Sequence, residues 1–502
     1  MRKFAVFAGA LLSGLLLASQ VIFAQGQLQF SPVSGPVGTK VQAAATGLPP
    51  GAVATLMWHT AAPEWRVTGQ ANEEFRGYVV HDRRIPLTTV QADAEGKASF
   101  EFEIPEDFGW LHNLTLEQDG NVLARQGFLV VKHMTIEPAS GPAGTPIRVK
   151  VTGLGYRTYE VLYHLLYDNA YTGLVTALST GGTAEFVITA TGAPGPHTIQ
   201  VLNGALTSAY LNIEQSPNYI PGASEPLFAV FTVTDGPAVT PEPFVRQGLP
   251  RIKGEGDALA ERIATGVSVD GSTPRIAFDY NSGQVWDPLV VTGAGYPAGA
   301  EVQLLWETVV GNRVGGQGWQ TRTSVLATGR TDDKGVFRIE TQVPDDLGGP
   351  HRVTAVAGGV RAEGTFTITP SVVRFGPTEV AAGELMILQF KGIGWTETEN
   401  ILTVVHDNAY IGYACGFNTQ GDVTINLRAA AQPGWHYIDV YPAIYKGDMG
   451  SINIDPFRLP MLNAADHPGA EIPVFRLAYY VRAQQAGARA PGPVPGAAAA
   501  SP

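Results

Sequence analysis

The sequence predicts an all-β chain of four tandem β-sandwich units, arranged as a duplicated two-domain module, A-B-A′-B′. Two observations carry this. The stretch Tyr167-Asp-Asn-Ala-Tyr-Thr-Gly173 recurs as His406-Asp-Asn-Ala-Tyr-Ile-Gly412, and the offset of 239 also relates Pro138, Gly144, Gly155 and His197 to Pro377, Gly383, Gly394 and His436 without a gap. A constant offset over such a length marks a duplicated unit. Short runs of alternating apolar and polar residues, separated by Gly- and Pro-bearing turns every 8–12 residues, give the strand pattern of a sandwich.

The duplication extends to the flanking units. Gly96, Pro105, Asp107, Gly109 and His112 map onto Gly335, Pro344, Asp346, Gly348 and His351 at the same offset, whereas Trp58 pairs with Trp306 at 248. About nine extra residues therefore lie between Trp58 and Gly96, in the charged stretch Glu64 to Arg84. These relations divide the chain into A over 27–133, B over 134–235, A′ over 275–370 and B′ over 371–483.

Three units, A, B and B′, open with an apolar residue, a proline and a glycine turn, as in Ile136-Glu-Pro-Ala-Ser-Gly-Pro-Ala-Gly-Thr145, followed by a strand such as Ile147-Arg-Val-Lys-Val151. Proline at a strand edge removes no ladder donor. Gly155-Tyr156, Gly295-Tyr296 and Gly394-Trp395 mark a Gly-aromatic step, and Asp93-Ala-Glu-Gly96 and Asp332-Asp-Lys-Gly335 launch later strands. Gly-Thr-x-Val/Ile, Thr-Gly-x-Gly-aromatic, Asp-x-x-Gly and Gly-x-His-x-Ile-x-Val resemble the IPT/TIG-type and related bacterial immunoglobulin-like repeats of exported proteins. The resemblance covers most of 27–483 and implies four immunoglobulin-like sandwiches; such folds host many roles, so it implies little about activity.

Residues 1–24 read as a signal peptide: Arg2 and Lys3, an apolar run from Phe4 to about Leu17, and small Ala24 before Gln25. The expected location is outside the cell or on its surface, and no later run has the ~20 apolar residues of a membrane span. Cys415 is the single cysteine, so no internal disulfide can form. A net charge of −12 argues against nucleic-acid binding through phosphates. Residues 236–274, rich in Pro and Gly, read as a linker that frees the two modules to reorient, with one or two helical turns at Ala258–Ile263. The Ala-Pro-Gly stretch 484–502 reads as a disordered tail.

For chemistry, the sequence contains no Gly-x-Ser-x-Gly elbow, no His-Glu-x-x-His and no Gly-Lys-Ser/Thr phosphate loop. His112, His197, His351 and His436 each begin what reads as a final strand, at a turn position. Asp168, Asn169, Asp407 and Asn408 carry oxygen donors of the kind calcium takes, although Asp-Asn reads first as a strand-end turn, and no other cofactor is implied. The sharper candidate is Trp435-His-Tyr-Ile-Asp-Val-Tyr441. Alternation assigns Ile438 and Val440 to the core and Trp435, Tyr437, Asp439 and Tyr441 to the outer face, with Tyr410, Tyr413 and Tyr445 extending the row. The matching B residues, Pro196, Thr198, Gln200 and Leu202, carry no aromatic ring. Such a row fits packing against the preceding unit or the 446–472 segment, a protein partner, or stacked sugar rings. Both B units append an extra strand, Phe228–Val233 and Phe475–Val481, expected to dock on the A unit or to pair with another chain.

The expected function is that of a non-enzymatic exported scaffold or adhesive binding protein of the cell surface, with protein or glycan partners. The competing readings are a polysaccharide-binding or polysaccharide-acting accessory protein and a self-assembling surface-layer or filament subunit.

Overall fold

The computed structural model describes residues 26–68, 74–157, 160–205, 208–216, 219–240, 246–264, 273–311, 318–445, 458–469 and 472–483. Residues 1–24, which read as a signal peptide, and the 484–502 stretch lie outside the described residues. Strands dominate, and B displays the architecture most plainly. Ala184–Thr189, Pro146–Thr152 and His133–Glu137 form a three-stranded sheet. It faces a second sheet in the order Ser140–Gly141, Leu227–Val233, Gly195–Ala205, Leu162–Tyr167, Ala170–Val175. All pairs are antiparallel except Ser140–Gly141, which runs parallel to Leu227–Val233. One strand thus leaves the first sheet and continues at the edge of the second, as in an immunoglobulin-like sandwich. A′ and B′ repeat the plan; in A, Gly26–Ser31 pairs with both Lys40–Thr46 and Asn121–Val130 and joins the two sheets into one.

The cores follow from the alternation. In Pro146–Thr152, Ile147, Val149 and Val151 are fully buried while the residues between them point outward. In A and A′ the largest core side chain is the repeated tryptophan. Trp58 donates its indole N–H to Asp107 at 2.6 Å and stacks on His112, and Trp306 does the same with Asp346 at 2.9 Å and His351. The ring bodies bury apolar area while each polar tip finds a partner.

Three expectations change. The appended strands Leu227–Val233 and Phe475–Val481 complete their own sandwiches, pairing with Gly195–Ala205 and Gly434–Pro442, and do not dock on A. The four histidines accordingly open the penultimate strand of each unit. The stretch between the modules is not a free hinge in its described part. Val239 donates its N–H to Ala143, Gln247–Gly248 pairs with Val372 and Ser371 of B′, and the helix Gly256–Ala264 packs beside Arg275–Phe278 and Pro288–Ala294. Composition marks the stretch as a connector but carries no information on where it docks.

The extra residues of A lengthen a hairpin, Val53–Thr68 with Glu74–Gln91, against Glu301–Gly311 with Trp319–Arg330 in A′. The long hairpin crosses the molecule. Phe75 is buried with Leu162 and Leu174 of B and Ile444, Leu459 and Met461 of B′, so three units share one small core.

Candidate functional site

The repeated Asp-Asn pairs sit at hairpin tips. Asp168 and Asn169 have φ of 48° and 64°, and Asp407 and Asn408 have 47° and 62°. Positive φ at both central residues defines a type I′ turn, the two-residue loop whose twist matches flanking strands, and Asp and Asn tolerate it better than other side chains. Each aspartate then braces the neighbouring strand. Asp168 accepts from the Thr198 N–H at 2.8 Å and bonds His197 Nδ1, and Asp407 accepts from the Tyr437 N–H at 2.9 Å and bonds His436 Nδ1 at 2.6 Å.

The two asparagines have different partners. The Asn169 amide oxygen accepts from half-buried Gln200 at 3.3 Å. Asn408 is buried and donates to the Thr189 carbonyl at 2.7 Å and the Thr191 hydroxyl at 3.0 Å, both in B, while its own carbonyl accepts from Thr172 at 2.6 Å. The turn of B′ is therefore pressed against B.

The expected outer row of B′ lies in the same contact: of the alternatives open to it, most of the row packs against another unit, and that unit is B and not the preceding A′. Alternation places Ile438 and Val440 in the core of B′, but Tyr437, Asp439 and Tyr441 on the opposite face are also buried, at 5%, 3% and 0% exposure. The reason is topological. Ala184–Thr189 and Ala170–Val175 are edge strands of the two sheets of B, so the sandwich has an open side between them. The face of B′ closes that side: Tyr441, Val405 and Leu462 join the core cluster of B. The edge itself is paired as well. Leu174 exchanges backbone bonds with Pro460 and Leu462, and the Val187 carbonyl accepts from Arg476 at 2.7 Å and Tyr441 at 3.4 Å. Unpaired edges invite further pairing, and here the second copy covers them.

Asp439 is the charged centre of this face. Burial pushes its carboxyl above the usual carboxylate range, opposed by Arg476 at 3.3 Å and by the Thr189 hydroxyl at 3.1 Å. Tyr437 donates its hydroxyl to the Val239 carbonyl at 3.1 Å, and burial raises its pKa to about 12. Tyr410 lies edge-on to Tyr171 of B at 6.3 Å and donates to the Arg458 carbonyl at 2.7 Å, with its pKa also raised by burial to about 12. Of the expected row, Trp435 and Tyr413 remain exposed, at 40% and 45%. Trp435 meets Tyr480 edge-on, and Arg458 lies over the Tyr413 ring.

Sequence reasoning missed two groups. Asp466 is buried and receives N–H bonds from Leu178 at 3.0 Å and Ser179 at 2.6 Å in B, and its carbonyl receives the Trp65 indole of A at 2.7 Å. No local pattern flags it. The second group lines a small cavity at the A–B junction: Trp110, Lys132, Glu160, Tyr163 and Asn203. Burial lowers Lys132 to about 8 and raises Glu160 to about 7, each partly offset by the other's charge, and Lys132 donates to Asn203 Oδ1 at 2.7 Å. A signal did exist, because Glu160 recurs as Glu399 at the offset of 239.

No family model matches the sequence, and no curated protein matches it. Among solved structures the chain is similar to Salmonella α-2-macroglobulin reacted with methylamine, at 9% identity and a TM-score of 0.18, covering 89% of this chain and 30% of that one. It is also similar to the ICAM-5 D1–D4 ectodomain fragment, at 10% identity and a TM-score of 0.16, covering 91% and 100%. A third is invasin, a bacterial integrin-binding protein, at 10% identity and a TM-score of 0.17, covering 91% and 79%.

Proposed function

We propose that this chain is a non-enzymatic exported scaffold or adhesive binding protein, built from bacterial immunoglobulin-like repeats of the IPT/TIG type. The observation that carries the reading is the B–B′ joint. The face of B′ that carries Tyr437, Asp439 and Tyr441 is used inside the molecule to seal B, which fixes two sandwich pairs against each other and suits the holding of surfaces apart or in register. Glu160 is the single carboxylate among the residues lining the A–B cavity, where glycoside hydrolysis in its usual form uses two. Export rests on residues 1–24 and their charged, apolar and small-residue sequence.

The test is to assay the full chain on arrayed glycans and on immobilised cell-surface protein fractions, with reducing-end release measured on the same glycans. Saturable retention without new reducing ends supports the proposal. Release of reducing ends, or no retention on either surface, overturns it.

A second reading, self-assembly, has its own observation. The B sheet presents Phe228 and Val230, at 60% and 42% exposure, where B′ uses Arg476 and Ala478 against B. Of the B′ strands matching the sealed edges of B, Val423–Arg428 ends its sheet without a covering strand among the described residues, while Ala409–Cys415 ends its sheet beside Ala170–Val175 of B. A contact between unlike surfaces does not close on itself and can propagate. Light scattering across a concentration series decides it: growth beyond a monomer supports assembly, and a constant monomer mass removes it.

A further inference from the structure

The turn that names the repeat differs between copies at one position that carries chemistry. In B the turn follows Tyr167; in B′ it follows His406. In B, Tyr167 donates its hydroxyl to the Thr191 carbonyl at 2.8 Å and stacks on His197. In B′ the phenol has moved to another strand. Tyr479, whose counterpart in B is Phe231, accepts the N–H of Ala430, the residue matching Thr191. The place vacated by a tyrosine holds His406, stacked on His436 with ring centroids 5.7 Å apart.

The result is a convergence of donors. His436 Nδ1 lies 2.6 Å and His406 Nδ1 3.5 Å from the same oxygen, Asp407 Oδ2. All three ligand atoms lie within 4.8 Å of one another. The remaining atom of each group is engaged elsewhere. His436 Nε2 lies 2.8 Å from the Gln432 carbonyl, His406 Nε2 lies 2.7 Å from the Tyr479 hydroxyl, and Asp407 Oδ1 accepts the Tyr437 N–H. Ligating histidines are characteristically held in this way, one ring nitrogen on the ion and the other on a carbonyl or hydroxyl that fixes the ring. The side chains are 12–28% exposed, so solvent reaches the cluster and can fill the remaining coordination positions.

We propose that His406, Asp407 and His436 form a binding site for a divalent transition-metal ion of the Zn²⁺ class, present in B′ and absent from B. Two imidazoles and one carboxylate suit such ions, whereas calcium takes an all-oxygen set of six to eight ligands. Binding requires only small shifts, bringing each donor to about 2.0–2.2 Å from the ion. The ion replaces the proton between His436 Nδ1 and Asp407 Oδ2, which passes to solvent. B, with Tyr167, Asp168 and His197, keeps the same turn and the same Asp–His bond but has two donors in place of three, so the molecule contains its own control.

The test uses the tag-free full chain, Zn²⁺ alone by calorimetry and equilibrium dialysis, and Co²⁺ as a visible-absorption probe. The wild type is expected to bind one ion at this site and to show Co²⁺ ligand-field bands. His406→Tyr installs the residue B carries there and is expected to weaken binding at least ~10-fold and remove the bands, with circular dichroism unchanged. Should that variant fold poorly, Asp407→Asn retains a residue tolerant of the turn and is expected to lose binding too. Tyr167→His/Phe231→Tyr transplants the arrangement into B and is expected to raise the stoichiometry from one to two. Equal affinity and stoichiometry in the wild type and His406→Tyr would overturn the proposal and leave the histidine as the partner of a relocated phenol only.

Discussion

B and B′ share a fold, a turn sequence and a braced aspartate, yet their corresponding surfaces have opposite fates. In B, the strand Gly195–Ala205 leaves Thr198 and Gln200 half-buried; in B′, the matching Tyr437 and Asp439 are buried against B. In B the edge strands Ala170–Val175 and Ala184–Thr189 are covered, while their B′ counterparts are half-exposed. Duplication supplied two equal sandwiches, and substitution on one face of one copy turned them into a joint. What differs between copies thus says more about the molecule than what they share.

The comparison can be broken most severely at Tyr441. It is fully buried in the core of the other domain, so Tyr441→Ala is expected to cost about 4 kcal/mol and to loosen B as well as B′. Chemical denaturation read on probes in both domains checks this; a loss confined to B′ would mean that B does not depend on the seal.

Arg476→Ala is the next largest. It leaves the Asp439 carboxylate buried without its cation, at a cost of about 3 kcal/mol near neutral pH. The sign with pH is set by the raised carboxyl. The folded state holds that proton more tightly than the unfolded chain, so ionised Asp439 opposes folding above its folded pKa, and the penalty falls as acidification protonates it. The variant is therefore expected to regain part of its loss at pH 5 relative to pH 7, and Asp439→Asn in the same chain to restore part of it at pH 7. Denaturation midpoints at the two pH values measure both effects.

The two asparagines give a finer contrast. Glycine satisfies the left-handed backbone at either turn, so Asn169→Gly is expected to be nearly neutral, whereas Asn408→Gly abandons two bonds into B and is expected to cost about 2 kcal/mol more. Equal costs would mean that turn geometry alone governs both sites. The smallest effect is expected at Trp435, on the same strand as Tyr441 but 40% exposed. Trp435→Ala is expected to change stability by less than about 1 kcal/mol in thermal unfolding.

Much of this fold was legible because its signals are local. The alternation in Ile147-Arg-Val-Lys-Val151 follows from the pleat, the Asp-Asn pairs from the positive φ of a I′ turn, and the helix at Gly256–Ala264 from a short run of good helix formers. The joint was not legible. Alternation assigns Tyr437 and Asp439 to one face of the strand but cannot say whether that face meets water or another sheet, because the covering partner lies about 250 residues away. The same blindness applies to Asp466, whose donors Leu178 and Ser179 are adjacent only in the folded chain. His406 was readable as a difference between copies, but its convergence with His436 required the register of the hairpin.

The long hairpin of A has a consequence for the order of assembly. The Trp65 indole bonds Asp466 and the Phe75 N–H bonds Glu397, so this element of the first domain is completed by residues 401 and 322 positions downstream. A chain emerging from the ribosome N-terminus first will form the A sandwich around Trp58 early, since those contacts are comparatively close in sequence. The outer half of its hairpin must wait, with two large aromatic rings covered only in part by Leu162 and Leu174 of B, until the fourth domain exists. Release of the last domain is thus the event that closes the first, and a ribosome stalled before residue 397 would hold a folded A sandwich whose hairpin is still open to protease.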